Sequence, residues 1–598
     1  MAQQTSDVMP PANAPNGDRQ QRETFLVRLP STTLSRSNTS NGISNGTSNG
    51  TSNGTSNGIS NGNSHPITPM QNGAATPFGS TPATPAYEVV APPDANARPA
   101  GLERQPTTSV ESLVSASDRQ KAVAKLDIYD RAVEAVMPVL PGQEFHLASW
   151  LTSGRTLAEP VWAFRTKVPV DEHRLRGAWA VLRRRHPILR STLVAVRPDE
   201  AFTVVLRQTS GASNYATFYK ASRHKGTLEE RVKAELKNLA SHPSSLKTPP
   251  TRLVLVKGDP EEGDAVLIMI HHAACDTRSM GLLVHELTDL YQGKPVLSKA
   301  PSFRNFVKET LFTHDPESEK EFWHETLRDC EETIVKPETD GEGNPLKKNE
   351  ILVKGEKTTT ANLEKAAEVA GVTPPTIIYL AFSHILAEKT GSKRPVFGCF
   401  HSGRDSIDVD RIDNMIGPCS TMLPTTIPDD VDVSHDLNDS KSELIKSLKS
   451  VHEHLDAQVP YEQSRLRDVL RWAEVGETVP FNAYLNILWN TKLPGAPEDT
   501  QPADNRHAWE RMDLGKRADY SAPSAIPGQT TVDVLDTSTV MRKHNVFVDI
   551  RCDKEEVGGG VPEIWVSANE VLMAASDLET FAHQIDKEIA DLCDCLLS

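Results

Sequence analysis

The stretch Val266–Leu287, "VLIMIHHAACDTRSMGLLVHEL", leaves few choices of local structure. Its uninterrupted apolar run reads as a buried strand. After a short turn, Met280, Leu283, Val284, Leu287 and Leu290 recur on one face of a helix. Just upstream, "TRLVLVKGD" reads as a second strand, joined to the first by the acidic, glycine-containing turn "DPEEGD". A hairpin that runs straight into an amphipathic helix belongs to a mixed α/β layer.

His271, His272 and Asp276 occupy the join. If strand geometry persists through "LIMIHH", His272 shares a face with Ile270 and Ile268, whereas His271 shares one with Met269 and Leu267. One metal ion does not easily take both rings, and no further His or carboxylate stands nearby at ligand spacing, so no metal is expected. Asp276 sits where a helix begins and reads as its N-cap. From the residues alone, His272 is open to three readings: a general base, a satisfied core histidine, or one half of a nucleophile pair with Cys275. The chain shows no Gly-x-Ser-x-Gly elbow, no Walker A loop and no Gly-x-Gly-x-x-Gly fingerprint, so hydrolase, NTPase and dehydrogenase readings lose their usual support.

The rest of the 598 residues divides unevenly. Residues 1–118 are expected to be a disordered low-complexity tail. Between Ser40 and Ser64 "SNGISNGTSNGTSNGTSNGISNGNS" repeats turn-forming residues that bury almost nothing, and proline-rich sequence follows. Structure is expected from "SDRQKAVAKLDIYDRAVEAVMPVLPGQEFHLASWL", where apolar residues recur at helical spacing around a break at Pro138, Pro141 and Gly142. A helix ended before Pro187 and a strand come next.

In the second half, "TTTANLEKAAEVAGVTPPTIIYLAFSHILAEKTG" reads as two helices broken at Gly371 and Pro374-Pro375. Strands are expected at "RPVFGCF", "FNAYLNILWN", "NVFVDIRCD" and "PEIWVSAN", and a closing helix at "SDLETFAHQIDKEIADLCDCLL". Both halves mix strands and helices, which suggests an α/β fold of two sandwich lobes, residues 119–345 and 346–598.

A formal net charge of −16 argues against nucleic acid as a partner, the basic "RLRGAWAVLRRRH" being at the spacing of a solvated helix face. Seven cysteines without paired zinc spacing point to reduced thiols and a cytoplasmic location. No apolar run is long enough to span a bilayer, and no secretory signal follows Met1.

"HHAACD" (His271–Asp276) resembles the His-His-x-x-x-Asp motif of nonribosomal peptide synthetase condensation domains, which belong to the chloramphenicol-acetyltransferase-like superfamily. Further blocks follow in the family's order. "AWAVLRRRHPILRSTL" is similar to its Arg-His-x-x-Leu-Arg helix end, and "SFRNFVKETL…EKEFWHETL" to the segment after the motif. "FGCFHSGRDSIDVDRIDNMIGPCSTMLPTTI" and "HEHLDAQVPYEQ" resemble two blocks of its second half.

The resemblance implies two acetyltransferase-like lobes in a V with a central tunnel, and His272 as the tunnel histidine that serves the attacking amine or hydroxyl. Asp276 would be structural, paired with Arg190, and His271 would buttress the loop. Thr277 and Arg278 stand where the family commonly has Gly and often an aromatic, so they would shape the acceptor's approach. Ser420-Thr421-Met422 stands where the family often has an Asn before Leu-Pro.

The resemblance also implies that no cofactor is bound and that the donor arrives on a phosphopantetheine arm. No adenylation signature and no Gly-Gly-x-Ser carrier site is visible, so the expected protein is a free-standing, monomeric acyltransferase. It would act in trans on the carrier protein of a separate synthase, with a small-molecule acceptor. Two alternatives stay open: an acyl-CoA-dependent O-acyltransferase, although the Asp-Phe-Gly-Trp-Gly motif of the plant type is absent, and a non-catalytic carrier-docking domain.

Overall fold

The computed structural model describes residues 109–208, 217–222, 225–296, 299–312, 315–337, 348–433, 440–476, 478–489, 509–512, 529–538, 540–552 and 560–598. Its first half runs α1 (Ala116–Lys125), β1 (Val133–Pro138), α2 (Pro141–Thr152), β2 (Val161–Thr166), α3 (Glu172–Arg185), β3 (Ser191–Arg197) and β4 (Glu200–Leu206). It continues with β5 (Phe218–Lys220), α4 (Leu228–Ser241), β6 (Thr251–Lys257), β7 (Asp264–Ile270), α5 (Thr277–Gln292), α6 (Phe303–Phe312) and α7 (Pro316–Leu327). The second half holds β8 (Lys348–Lys354), α8 (Thr360–Ala370), α9 (Pro374–Thr390), β9 (Phe397–His401), β10 (Thr421–Thr425), α10 (Lys441–Gln458) and α11 (Leu466–Trp472). It closes with β11 (Ala483–Trp489), β12 (Trp509–Arg511), β13 (Val546–Cys552), β14 (Glu563–Asn569) and α12 (Ala575–Leu597).

The strands form a three-stranded sheet β1-β4-β3, a five-stranded sheet β12-β2-β7-β6-β5 and a six-stranded sheet β10-β9-β11-β13-β14-β8. Order in the sheets does not follow the halves of the chain. Strand β12, from beyond residue 346, pairs antiparallel with β2 and so completes the sheet that carries β7. Thr531 adds a second tie, donating to Leu193 O and Leu246 O. Among the described residues no single helix is long and apolar enough to cross a membrane; α8 and α9 meet that test only together, with a 95° bend between them.

Two expectations need correction. Order does not start at residue 119: a 3₁₀ turn spans Val110–Leu113, α1 begins at Ala116 capped by the Ser115 side chain, and Val110 is buried. A short apolar patch is enough here because β1 lies over it. "VEAVMP", which shows helical spacing, is strand β1, paired antiparallel with β4 from Val133↔Leu206 to Pro138↔Phe202. Tertiary pairing overrides the local period, and Pro138 is tolerated because β1 is an edge strand. Residues 1–108 of the expected tail lie outside the described residues.

The expected β6–β7 hairpin is present, antiparallel from Thr251↔Ile270 to Lys257↔Asp264. Strand β7 lies between β2 and β6 and is buried on both faces. Val266, Ile268 and Ile270 pack with Trp179 and Leu182 of α3 and Leu283 and Leu287 of α5. Ala265, Leu267 and Met269 pack with Val232, Leu236 and Leu239 of α4. The strand therefore delivers the two residues that follow it to two different layers.

Candidate active site

Strand β7 ends at Ile270, but its backbone stays tethered for two more residues. The His271 amide donates to Pro250 O at 3.0 Å and the His272 amide to Ala158 O at 2.8 Å. The chain then turns tightly, the Ala274 amide reaching His271 O at 2.8 Å. Gln143 of α2 holds this turn from outside: its amide donates to Ala273 O at 2.8 Å, while its oxygen accepts the Leu140 amide at 3.0 Å.

The two imidazoles diverge as strand alternation requires. His271 turns its ring edge-on to Trp150, 5.4 Å between centroids, and its Nδ1 accepts the Ala273 amide at 3.0 Å. Burial pushes its pKa down to about 3, with His272 adding a smaller push, so His271 is a neutral support of the turn. His272 instead stacks on His146 of α2, 5.0 Å between centroids at 26°, and meets Trp162 edge-on.

His272 Nδ1 lies 3.1 Å from the carbonyl oxygen of Cys275. A carbonyl only accepts, so Nδ1 carries a hydrogen. In the neutral ring the lone pair is then on Nε2. A backbone bond that selects this tautomer makes Nε2 the basic atom. The same geometry speaks against a Cys–His nucleophile pair. His272 holds the Cys275 carbonyl, and the Cys275 thiol donates to Asp276 O at 3.4 Å. Burial first, then the Asp276 charge, pushes that thiol well above its ordinary range.

Asp276 caps α5, its Oδ1 accepting the Ser279 amide at 2.8 Å. Its charge partner is not the expected one. Arg404, from the "HSGRDS" segment after β9, meets the carboxylate from both guanidinium arms: Nη1 at 2.8 Å from Oδ2 and Nη2 at 3.0 Å from Oδ1. The Cys419 amide adds a fourth donor at 3.0 Å. Burial alone would raise the Asp276 pKa, but Arg404 outweighs it and holds the carboxyl below its ordinary value.

Arg190 serves elsewhere. At the end of a 3₁₀ turn, Pro187–Arg190, it donates to the Leu206 carbonyl on β4 and forms a two-pronged pair with Glu134 on β1, at 2.7 and 3.1 Å. Its reach is taken up by the three-stranded sheet.

The Asp276–Arg404 pair is one element of a buried polar knot that joins the start of α5 to the second half. Ser279 Oγ accepts from the Gly417 amide and from Arg404 Nη2, and Gln463 donates to the carbonyls of Gly403 and Cys419. Gly403 is required there: its φ is +63°, and a Cβ would fall 2.0 Å from Cys419 O. Thr277 is buried in the first turn of α5. Arg278, expected to present its charge to an incoming acceptor, donates instead to the Asp413 carbonyl at 3.1 Å and pairs with its carboxylate at 2.9 Å.

Sequence reasoning missed Gln143, His146 and Arg404 as residues of this site. Each had a local signal: a glutamine and a histidine in the helix α2, which is buried over most of its length, and an arginine between turn residues. What none of them shows in sequence is its partner, 128 or more residues away in the cases of Arg404 and Gln143. Among the described residues, no group of three or more His, Cys, Asp or Glu side chains is placed to hold a metal ion.

A family model described as "Condensation domain" matches residues 134–487, more than half of the chain. Nonribosomal peptide synthetase sidN of Epichloe festucae is 34% identical over 490 residues, which is 81% of this chain and 10% of that protein. Nonribosomal peptide synthetase sidC of Aspergillus fumigatus is 33% identical over 452 residues, 74% of this chain and 9% of that protein. The chain thus spans about a tenth of the length of these relatives. Among solved structures, the condensation domain of the monacolin K polyketide synthase MokA superposes with a TM-score of 0.57 at 15% identity, covering 77% of this chain and 98% of that one. That likeness is one of fold.

Proposed function

The chain belongs to the condensation-domain family, and from that premise we propose that it joins a carrier-bound acyl thioester to an amine or hydroxyl, with His272 as the base. The single observation that carries the proposal is the Nδ1 contact of His272 with Cys275 O, which leaves Nε2 as the lone-pair atom of the ring. The acceptor's nitrogen or oxygen attacks the thioester carbonyl carbon as Nε2 takes its proton. Collapse of the tetrahedral adduct breaks the C–S bond, and the departing sulfur takes a proton back from Nε2. No acyl-enzyme forms. The Cys275 thiol, held protonated by burial, offers no nucleophile.

Asp276 acts at a distance. Its carboxylate is occupied by Arg404, Ser279 and Cys419, so it fixes the turn and the start of α5 and leaves proton transfer to His272. The donor's phosphopantetheine arm belongs to the substrate. We read the carrier as one supplied in trans, the chain as a monomer with no cofactor of its own, and its location as cytoplasmic.

The test is a donor panel. Purified protein is offered the same acyl group on a carrier protein and on coenzyme A, with amines and alcohols as acceptors. Product from the carrier-bound donor in preference to acyl-CoA supports the proposal. Preference for acyl-CoA would point to the O-acyltransferase alternative, and carrier binding with no product for any acyl group to a docking domain.

A further inference from the structure

His146 has no counterpart among the motif residues and no assigned task. It lies on α2, 6% exposed, with its ring face against that of His272 at 5.0 Å and 26°. Among the described residues its ring nitrogens have no hydrogen-bond partner. Its nitrogens are not among the side-chain atoms that the fold seals off without a partner, so the ring edge stays open to an acceptor atom of a ligand.

The helix face tells where the missing partner belongs. Gly142 and His146 are four residues apart and share a face of α2. At Gly142 that face touches the second half of the chain, closely enough that a Cβ would fall 1.8 Å from Ser420 O. One turn later it meets His272. One face of α2 therefore runs from a tight contact with the second half of the chain to the ring of His272.

We propose that His146 is a further catalytic residue, whose imidazole N–H donates a hydrogen bond to the carbonyl oxygen of the acyl group while the acceptor attacks. The hydrogen stays on His146 throughout, and the proton transferred from the acceptor is handled by His272 alone. Burial first, then His272 and His271, pushes the pKa of His146 well below its ordinary value. Its ring is therefore neutral, with one N–H to give, and does not compete with His272 for the acceptor's proton. A donor already in place stabilises negative charge as it develops on oxygen.

This inference rests on the acyl-transfer reading, and its test separates the two. Wild type, His272→Ala, His146→Phe and His146→Gln are assayed with an acyl-pantetheine thioester and an amine. Their binding of the ketone analogue, with CH₂ in place of the thioester sulfur, is followed by calorimetry. His146→Phe keeps an aromatic ring against His272 but no N–H. It is expected to lose at least about tenfold in kcat with an unchanged melting temperature, and His146→Gln to recover part of that loss.

Turnover by His146→Phe within about twofold of an active wild type would overturn the proposal, because stacking alone would then explain the residue. If the wild type turns over no donor, the acyl-transfer reading fails, and the titration still decides for His146. Binding of the ketone about tenfold weaker in His146→Phe supports the contact, and equal binding overturns it.

Discussion

Two arginines in two regions of the molecule make the same kind of contact to different effect. Arg190 and Arg404 are both buried and both hold a carboxylate with two guanidinium nitrogens. Arg190 ties β1 to β4, and its partner Glu134 keeps 39% of its side chain in water. Arg404 ties two segments 128 residues apart in sequence, and its partner Asp276 keeps 2%. Water can replace much of the first contact if it is lost. Nothing can replace the second. The region that holds the motif aspartate is thus the one in which a buried charge has no alternative to its partner.

Arg404→Ala should therefore be the most damaging change. It strands the Asp276 carboxylate and is expected to cost about 3–5 kcal/mol, read by urea denaturation. A cost below about 1 kcal/mol would place the Asp276 pair on a par with surface pairs and dissolve the contrast.

The contrast also has an acid signature. Asp276 is held below its ordinary 3.8 in the folded chain, so its contribution is complete above that pH and is lost as the pH falls through 3.8 toward the folded value. Asp276→Asn cannot titrate, although its side-chain oxygen still accepts from Arg404. It should lower stability at neutral pH, narrow its deficit relative to wild type as the pH falls through this window, and retain measurable activity. A soluble, well-folded Asp276→Ala protein with only its rate destroyed would contradict a structural role for this residue.

Arg190→Ala leaves a half-exposed glutamate that water can serve, and should cost about 1–2 kcal/mol in the same denaturation assay. Arg278→Ala removes an exposed pair with Asp413 and should cost less than about 0.5 kcal/mol. If Arg278→Ala instead costs as much as Arg404→Ala, exposure is not what separates these contacts.

How far the sequence reveals this arrangement depends on the range of the interaction. Alternation along "VLIMIHH" separates His271 from His272, and the packing of Val266, Ile268 and Ile270 on one side and Leu267 and Met269 on the other follows the same rule. The Asp276 cap and the β6–β7 hairpin are equally local, and both are present. Strand β1 was not legible, because "VEAVMP" fits two periods and only its pairing with β4 decides between them. The partner of Asp276 was not legible either. Arg190 and Arg404 both stand in blocks that resemble the family, and local pattern does not say which guanidinium reaches across the fold. His146 was hidden for a related reason: a stack between residues 126 positions apart leaves no trace in either segment.

The most direct measurement of the central claim is turnover of one loaded carrier by wild type and His272→Ala side by side, with the melting temperature of each recorded. Loss of the Nε2 base should reduce the rate of amide or ester formation by at least about 100-fold while the two proteins melt together. Equal turnover by the two proteins would show that His272 is not the base and that the chemistry of this chain lies elsewhere.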